Sequence, residues 1–226
     1  MAPRLRRGVL ITLEGGEGAG KTTVVEALAA LLREDGYPAL VTQEPAGTGL
    51  ALTIRALFEW LATPDQAANL SPTTEMLLFE ARRAQHVADV IRPALERGEV
   101  VICDRFSDST LAYQGYGRGL SLDHIRACNH IASGGLVPNL TLLLDVPPEV
   151  GLARAERRPN TVAGGEEMGD AIGRESLQFH RRVREGFLTL AQREPRRIQV
   201  VDASLPAEAV TAAAWQRVKG LLEHIL

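Results

Sequence analysis

The segment LEGGEGAGKTT, residues 13–23, has the residue types and spacing of a phosphate-binding loop. Its glycines let the backbone curl so that successive N–H groups point at phosphate oxygens. Lys21 then reaches the β and γ phosphates, and the Thr22 hydroxyl can ligate Mg²⁺. Lys219 is the only other lysine of the chain, and a compact ammonium group fits such a loop where an arginine fork does not. The predicted nucleotide-binding residues are Gly15, Gly16, Glu17, Gly18, Ala19, Gly20, Lys21, Thr22 and Thr23.

A second group of reactive side chains follows the apolar run at residues 100–103. Asp104 ends this run, and a strand beside the first one would bring its carboxylate near the metal. Arg105 comes next, and its guanidinium can hold a phosphate with two hydrogen bonds. Thr22 and Asp104 are therefore candidate metal ligands, and Arg105 is a candidate phosphate contact.

The elements that must position these residues alternate along the chain. Apolar, β-rich runs predict five buried strands, at residues 9–13, 40–42, 100–103, 141–144 and 198–201. Helices are predicted after the phosphate loop as far as Gly36, from Ser71 towards Gly98, and at 50–61, 121–133, 149–158, 175–192 and 207–225. This order predicts an α/β fold of three layers, a parallel five-stranded sheet with helices on both faces. Ligands of such sheets lie beyond the carboxyl ends of the strands.

Residues 159–173, PNTVAGGEEMGDAIG, interrupt the regular pattern between two predicted helices. Four glycines in a stretch without periodicity are typical of a mobile flap over a ligand, and equally of a disordered surface insertion. The chain has no internal repeat and no long linker. At 226 residues, we predict a single domain, residues 1–226, with a lid around residues 155–174.

Composition and charge narrow the class of protein. Hydrophobic residues make up 45% of the chain and charged residues 23%, which is typical of a soluble globular protein. The net charge of −3 provides no general attraction to nucleic acid or to an anionic membrane. Cys103, Cys128 and the dispersed histidines lack metal-ligand spacing, and no signal peptide is indicated. We therefore predict a cytoplasmic protein with neither nucleic acid nor membrane as a partner.

Six segments together resemble the thymidylate kinase family, whose members use ATP to convert dTMP to dTDP. They are LEGGEGAGKTT (13–23), QEPAGTGLALTIR (43–55), LLFEARRAQH (77–86), DRFSDSTLAYQGYGRG (104–119), PNLTLLLDVPPEVGLAR (138–154) and ESLQFHRRVREGF (175–187). The match runs nearly end to end, and it is far more specific than the phosphate loop alone. The resemblance implies a P-loop NTPase fold, ATP and Mg²⁺ as cofactors, dTMP as the substrate, and a homodimer.

The resemblance implies that Phe79 and Arg83 bind the thymine base. The two residues lie four apart and so share one face of a predicted helix, although an aromatic residue on a helix is, taken alone, more often core. In the family the corresponding phenylalanine stacks on the ring and the arginine donates to O4, an acceptor that cytosine replaces with a donor amine. Thr110 and Gln114, again four apart, correspond to polar contacts to the base.

The sugar and phosphate of the acceptor are matched by further residues of the same segments. Tyr113 corresponds to a tyrosine near the C2 position of the sugar, where a ribose hydroxyl would collide, so the resemblance implies a preference for deoxyribose. Glu17 corresponds to an acidic residue that approaches the 3′-hydroxyl of the acceptor. The remaining implied contacts are Arg55 and Arg105 near the dTMP phosphate, and Glu44 and Ser109 at the acceptor site.

The expected mechanism is alignment of the reactants combined with cancellation of charge. The acceptor phosphate, with a second pKa of about 6, is mostly a dianion at neutral pH and needs no general base. Lys21, Mg²⁺ and arginines such as Arg105 stabilise the moving γ-phosphoryl group. Family members with glycine at the position of Gly18 take a catalytic arginine from the lid. Of Arg154, Arg157, Arg158 and Arg174, we favour Arg154 and Arg158.

Two segments depart from the pattern of the family. Lids of this type usually end in Asp-Arg-apolar-acid, whereas residues 170–173 are DAIG, and this lid is longer. The chain also has QEPAG at residues 43–47 where the family more often has REPGG. The altered lid leaves open which arginine acts. The change to QEPAG bears on the conformation of its loop more than on activity.

Two alternatives to a dTMP kinase are open from the sequence. One is a kinase of another acceptor, such as dUMP or a deoxynucleoside, because a single methyl group in an apolar pocket is worth only about 1–3 kcal/mol of discrimination. The other is a non-catalytic nucleotide-binding regulatory protein that has lost its lid chemistry. The intact Lys21, Thr22, Asp104 and Arg105 favour the enzyme, and an ATP- and Mg²⁺-dependent dTMP kinase is the predicted function.

Overall fold

The computed structural model describes residues 7–44, 53, 70–157 and 175–225 of the chain. All but one residue of the predicted helix at 50–61 lies outside the described residues. The whole of the predicted flap at 159–173 also lies outside the described residues. So do three arginines of the sequence analysis, Arg55, Arg158 and Arg174.

Five parallel strands form one sheet in the described part of the chain. They are β1 (Val9–Gly15), β2 (Ala39–Gln43), β3 (Val100–Asp104), β4 (Leu140–Asp145) and β5 (Ile198–Asp202). Their order across the sheet is β2-β3-β1-β4-β5, and all four neighbouring pairs are parallel. The predicted α/β fold and each of its five predicted strands are confirmed.

The described helices connect these strands. They are α1 (Lys21–Glu34), α2 (Pro72–His86), α3 (Arg92–Glu96), α4 (Ser107–Thr110), α5 (Leu122–Ser133), α6 (Pro148–Glu156), α7 (Leu177–Arg193) and α8 (Ala207–Ile225), with π-helices at Val87–Ile91 and Leu111–Gly117. Ser71 begins the predicted helix towards Gly98, because its side chain accepts a hydrogen bond from the Thr74 backbone N–H at 3.1 Å. The helical residues 107–117 were not anticipated from the sequence.

Both faces of the sheet are covered, as its apolar strands require. Successive side chains of a strand point to opposite faces, so Val9, Ile11 and Leu13 of β1 join the core beneath α1 and α8. Leu10 of the same strand packs instead with Val87 and neighbouring residues on the opposite face. Among the described residues, no helix is both long and apolar enough to cross a membrane.

The parallel register brings the ends of the central strands to one edge of the sheet. Leu13 of β1 is paired with Asp104 at the end of β3, and Gly15 is paired with Leu144 near the end of β4. The phosphate loop and the Asp104-Arg105 pair therefore leave the sheet side by side. This edge is where the sequence placed its candidate site.

Candidate active site

The loop between β1 and α1 presents backbone groups instead of side chains. Gly18 and Gly20 have positive φ values of 63° and 85°, in the left-handed region that glycine adopts without steric cost. Gly20 is the N-cap of α1, and no side chain in the described part of the chain forms a capping hydrogen bond there. The backbone N–H groups of the first turn of this 14-residue helix are thus available to an anion, and the helix dipole favours one.

The loop also lies directly against the backbone of α6. A Cβ atom at Gly18 would overlap the carbonyl oxygen of Gly151, and a Cβ at Gly151 would overlap the carbonyl oxygen of Glu17. Two glycines therefore allow the phosphate loop and α6 to make close backbone contact. A side chain of any size at position 18 requires one of these segments to move.

Lys21 bends back over the loop from the first position of α1. Its Nζ donates a hydrogen bond to the Gly16 carbonyl oxygen at 3.1 Å, and the residue is 9% exposed. Burial, and then the positive charge of Arg105, lowers the pKa of the lysine. The lysine is therefore desolvated inside the loop, where an incoming phosphate would supply the missing negative charge.

Thr22 and Asp104 meet at the start of α1. The Thr22 hydroxyl lies 3.4 Å from Oδ2 of Asp104. The other carboxylate oxygen, Oδ1, is buried and has no hydrogen-bond partner among the described residues. A buried carboxylate oxygen without a donor, next to a hydroxyl, fits the oxygen ligands that Mg²⁺ takes beside nucleotide phosphates.

Arg105 is the centre of the charged part of the site. It is the only described non-glycine residue with a positive φ, 66°, a conformation that costs of the order of 1 kcal/mol or more. Its guanidinium donates to the Gly15 carbonyl oxygen at 3.0 Å and to Oε1 of Glu17 at 2.8 Å. Its backbone is fixed as well, because its N–H donates to the Leu13 carbonyl oxygen at 2.9 Å. The strained backbone and both contacts aim this cation across the mouth of the phosphate loop.

Glu17 holds a carboxylate inside the phosphate loop. Its Oε1 accepts a hydrogen bond from the Tyr113 hydroxyl at 3.1 Å as well as the one from Arg105, and the Arg105 guanidinium lies 5.1 Å from the centre of the Tyr113 ring. Burial opposes ionisation of Glu17, but Arg105 and then Lys21 and Tyr113 outweigh it and lower the pKa of the carboxyl group. Glu17 is therefore ionised at neutral pH.

Glu14 lies beneath Arg105, fully buried on β1. Its Oε1 accepts from the Phe106 N–H at 2.8 Å, and its Oε2 accepts from the Ser109 hydroxyl at 2.5 Å. These bonds tie the start of α4 to the sheet. Burial, and then the nearby charge of Asp108, raises the pKa of Glu14 to about 8.

Arg83 on α2 is buried among carboxylates and is 1% exposed. Its Nη2 donates to Glu44 at 2.9 Å and its Nη1 donates to Glu80 at 2.7 Å. Further hydrogen bonds run to Asn129 Oδ1 at 2.7 Å and to Thr110 Oγ1 at 3.0 Å. Burial opposes the charge of Arg83, but Glu44 and Glu80 outweigh it and raise the pKa of the guanidinium. The arginine therefore cross-links α2 to its neighbours.

The other residues predicted to contact the base lie around Arg83. Phe79 is partly buried, with the Arg82 guanidinium 5.4 Å from its ring centre. Gln114 is 1% exposed and donates to Glu75 at 2.7 Å. These contacts explain how the polar residues are satisfied in the interior.

The predicted lid arginines are only partly described. The Nη1 and Nη2 of Arg154, on α6, donate to the carbonyl oxygens of Ala203 and Ser204 at 2.7 and 3.3 Å. This places Arg154 at the end of β5. Arg158 lies outside the described residues.

Several members of this network were not identified from the sequence. Glu14 stands in the quoted loop motif, where a carboxylate inside an apolar strand was a signal that could have been used. Asp108 likewise stands inside the DRFSDST segment. Asn129 and Arg197 carry no local signal for their contacts with Arg83 and Asp108, because these partners lie 46 and 89 residues away in the sequence. Glu80 lies three residues before its partner Arg83 on α2, and this spacing was a signal that could have been used.

The chain was compared with known proteins at the level of sequence. A model of the thymidylate kinase family matches residues 13–214. Thymidylate kinase of Thermomicrobium roseum is 54% identical over 214 residues, which cover 95% of this chain and 96% of the relative. Thymidylate kinase of a Synechococcus species is 52% identical over 211 residues, 93% of this chain and 94% of the relative.

The fold was also compared with solved structures. The crystal structure of thymidylate kinase from Ehrlichia chaffeensis matches with a TM-score of 0.71 at 30% sequence identity, covering 94% of this chain and 99% of that one.

Proposed function

The chain belongs to the thymidylate kinase family, and from that premise we propose how its residues transfer the γ-phosphoryl group of ATP to dTMP. The reaction gives dTDP and ADP, so the chain is a phosphotransferase of nucleotide biosynthesis. The observation that carries the proposal is the meeting of Lys21, Thr22, Asp104, Glu17 and Arg105 at one edge of the sheet.

On the donor side, we assign the phosphates of ATP to residues Gly15–Thr23. The open first turn of α1 supplies N–H donors and the positive end of the helix dipole. Lys21 follows the γ-phosphoryl group as its charge shifts in the transition state. Because burial and Arg105 lower the pKa of Lys21 in the free chain, an arriving anion restores the balance of charge.

Thr22 and the unpartnered Oδ1 of Asp104 would hold Mg²⁺ beside those phosphates. When bound, the ion neutralises charge on the β- and γ-phosphate oxygens. The protein holds its two ligands on different elements, α1 and β3, so their spacing depends on the register between β1 and β3.

On the acceptor side, Arg105 faces both substrates. Its side chain donates to the backbone of Gly15 and to the carboxylate of Glu17 at the mouth of the donor loop, which supports a role between the donor loop and the acceptor. We assign the dTMP phosphate to Arg105, Ser109 and Arg55. The phosphate dianion is the nucleophile, so this side of the site has to orient the acceptor and requires no proton transfer.

We assign the deoxyribose and base to the surface that continues from Glu17. Tyr113, hydrogen-bonded to Glu17, lies beside the sugar, and Glu17 accepts a hydrogen bond from the 3′-hydroxyl. Phe79, Thr110, Gln114 and the pair of Arg83 with Glu44 take the thymine. The 3.0 Å contact between Arg83 and Thr110 supports this arrangement, because two residues implied in base recognition lie together.

The catalytic arginine remains assigned to the lid, with Arg154 and Arg158 as the candidates. The close contact between Gly18 and Gly151 supports this assignment, since it leaves no room for an arginine in the loop itself. We further propose that residues 1–226 form one kinase domain with a lid around residues 155–174, that two copies form a homodimer, and that the enzyme works in the cytoplasm.

The test is a coupled assay of ADP release with ATP and Mg²⁺. It compares dTMP with dUMP, dCMP, dGMP and thymidine, with Lys21→Ala as the inactive control. Turnover chiefly with dTMP, lost in the variant, is the expected result. Turnover chiefly with dUMP or thymidine would reassign the acceptor. ATP binding without any turnover would show a non-catalytic nucleotide-binding protein.

A further inference from the structure

An ion pair lies behind the acceptor side of the site, on the far side of α4. Asp108 is 2% exposed, and both of its carboxylate oxygens face Arg197. Arg197 Nη1 donates to Oδ2 at 2.6 Å and Nη2 donates to Oδ1 at 2.9 Å. This two-pronged geometry is the strongest form of a hydrogen-bonded ion pair. Arg197 lies between α7 and β5, 89 residues away along the chain.

The surroundings of this pair satisfy its remaining polar groups. The Thr141 hydroxyl donates to Oδ2 of Asp108 at 3.2 Å and accepts from Arg197 Nη1 at 3.0 Å. Thr141 also lies 2.8 Å from the Thr12 hydroxyl. Arg197 in turn contacts Glu194 at 2.7 Å, near the surface. The result is a continuous polar path from the surface to the middle of the sheet.

The path continues from Asp108 to Arg105 through one turn of helix. Asp108 and Ser109 are adjacent in α4, which has four residues. Ser109 is held by Glu14 at 2.5 Å and lies 3.3 Å from Nη1 of Arg105. α4 continues directly into the π-helix Leu111–Gly117, so its four residues are the first turn of a longer helical segment. The N–H groups of a first turn have no partners within the helix, so the position of this turn depends on the contacts that hold it. Asp108 is held from one side and Ser109 from the other.

Arg105 needs such support because its own backbone is strained. Its φ of 66° persists only where the surroundings fix it. The residue is anchored at its N–H by Leu13, and the Cys103 thiol donates to its carbonyl oxygen at 3.1 Å. The peptide that follows leads directly into α4. A shift of α4 therefore acts on the backbone conformation of Arg105.

We propose that Arg197 is a positioning residue for phosphoryl transfer to dTMP: its ion pair with Asp108 fixes α4 and thereby holds Arg105 and Ser109 at the acceptor phosphate. The inference rests on the proposed role of Arg105 and Ser109 in binding that phosphate. Arg197 contacts α4 through Asp108, whereas the backbone of the donor loop is held by close packing of Gly18 against Gly151. Its effect is therefore expected at the acceptor more than at the donor loop.

The test compares Arg197→Gln with the wild-type enzyme in steady-state kinetics for each substrate separately. A displacement of about 1 Å at a reacting group costs up to about 100-fold in rate, so we expect kcat/KM for dTMP to fall about 10- to 100-fold. KM for ATP is expected to stay within about twofold of wild type, because the donor loop is unaffected. Arg197→Lys keeps the charge but cannot form the two-pronged hydrogen bond to Asp108. Its kcat/KM for dTMP is expected to lie between those of the wild type and Arg197→Gln.

Two control variants separate positioning from loss of stability. Arg217→Gln removes an arginine that also contacts β5, through the Val200 carbonyl oxygen at 2.9 Å, and its other hydrogen bond runs to Ala213. Its kinetics are expected to match the wild type. Val218→Ala opens a cavity in the core beneath α8 and lowers stability without acting on α4. Its kcat/KM for dTMP is expected to stay unchanged at a temperature where it is folded.

The outcomes decide between the two roles of Arg197. A fall in kcat/KM for dTMP in Arg197→Gln, partly rescued by lysine and absent from both controls, supports positioning. Loss of thermal stability with kcat/KM for dTMP within about twofold of wild type, or a rise of more than about twofold in KM for ATP, overturns it. If Arg197→Gln does not fold, Asp108→Asn tests the same pair with the same criteria. Failure of the proposed function appears separately, as absence of dTMP turnover in the wild type.

Discussion

The two halves of the candidate site are built by different means. The phosphate loop relies on glycine backbone, an open helix end and one lysine that contacts a carbonyl oxygen of the loop. The opposite half, which we call the acceptor wall, relies on ionisable side chains that are held by ion pairs or by hydrogen bonds in the free protein. The acceptor wall consists of Glu14, Glu44, Arg83, Arg105 and Asp108.

This difference predicts which charged residues stabilise the free protein and which act only in turnover. The charge of Lys21 on the phosphate loop contacts a carbonyl oxygen in the free protein and gains anionic partners when nucleotide is present, so its removal affects turnover. A charge in the acceptor wall has partners in the free protein, and removal of one partner leaves another charge buried and uncompensated. Variants of the acceptor wall are therefore expected to lose stability, and variants of the phosphate loop are expected to lose activity.

The largest effect on stability is expected in the acceptor wall, for Arg83→Leu. The substitution leaves Glu44 and Glu80 without their main partner in the interior, and the loss of one member of a buried pair typically costs about 3–5 kcal/mol. The free energy of unfolding, measured in urea at pH 7, reports this directly. Arg126→Leu is the matched control, since Arg126 pairs with an exposed Asp123 at 3.1 Å and such pairs contribute about 0–1 kcal/mol. If Arg83→Leu and Arg126→Leu lowered the free energy of unfolding equally, the buried pairs of the acceptor wall would stabilise the protein no more than an exposed pair.

Lys21→Ala is expected to show the opposite pattern. Loss of a preorganised charge that stabilises the transition state costs about 10²–10³ in kcat. Unfolding free energy is expected to change by no more than about 1 kcal/mol, because the surroundings of Lys21 lower its pKa and so do not favour its charge. The ADP-release assay and urea unfolding measure the two quantities. Lys219→Ala, at the only other lysine, is expected to change neither, and a large loss of stability in Lys21→Ala would contradict the comparison.

The backbone of the phosphate loop is tested by Gly18→Ala. The added methyl group has to be accommodated at a φ of 63° and against the carbonyl oxygen of Gly151, so we expect a loss of about 1–3 kcal/mol of stability. Gly16→Ala is the control for stability, because no atom of the described residues lies within 4 Å of a Cβ built there. Thermal unfolding of both variants measures the difference. Similar melting temperatures would show that the loop moves away from α6 at little cost.

The two halves also differ in how far the sequence predicts them. The phosphate loop is local: glycines, Lys21 and Thr22 occur within one short segment, and the strand before it is a continuous apolar run. The strands were placed correctly for the same reason, since both of their faces are buried and their composition shows it. The fold class follows from the order of these local elements.

The acceptor wall depends on contacts between residues that are distant in the sequence. Arg83 bonds to Glu44 and Asn129, which lie 39 and 46 residues away, and no local pattern indicates these partners. The helical residues 107–117 were missed because their first turn is held by Glu14 on another element. The π-helix at Val87–Ile91 was not predicted either, because a single π turn inside a helix does not show in the spacing of apolar residues. Within the acceptor wall, Glu44 and Arg83 were predicted only through resemblance to a family. Arg105 was also predicted from its place after an apolar strand, and Glu14 and Asp108 were not predicted.

The smallest expected effect is a difference between the two halves in how they make the free energy of unfolding depend on pH. The folded protein holds Glu14 with a pKa of about 8, raised first by burial and then by Asp108, against an ordinary value of 4.5. Between these values the folded state binds a proton that the unfolded state has lost, so stability falls as the pH rises from about 4.5 to about 8. A single group contributes at most about 1.4 kcal/mol per pH unit.

Glu14→Gln isolates this contribution. Glutamine keeps an oxygen to accept from the Phe106 N–H and an amide to donate to the Ser109 hydroxyl, but it does not titrate. Urea unfolding of both proteins at pH 5, 6 and 7 should show the wild type losing stability relative to the variant at each step. The phosphate loop supplies no matching slope, because the surroundings of Glu17 lower its pKa and its effect appears only in acid. Parallel pH profiles for wild type and Glu14→Gln would mean that its hydrogen bonds from Phe106 and Ser109 stabilise the Glu14 anion more than burial and Asp108 oppose it.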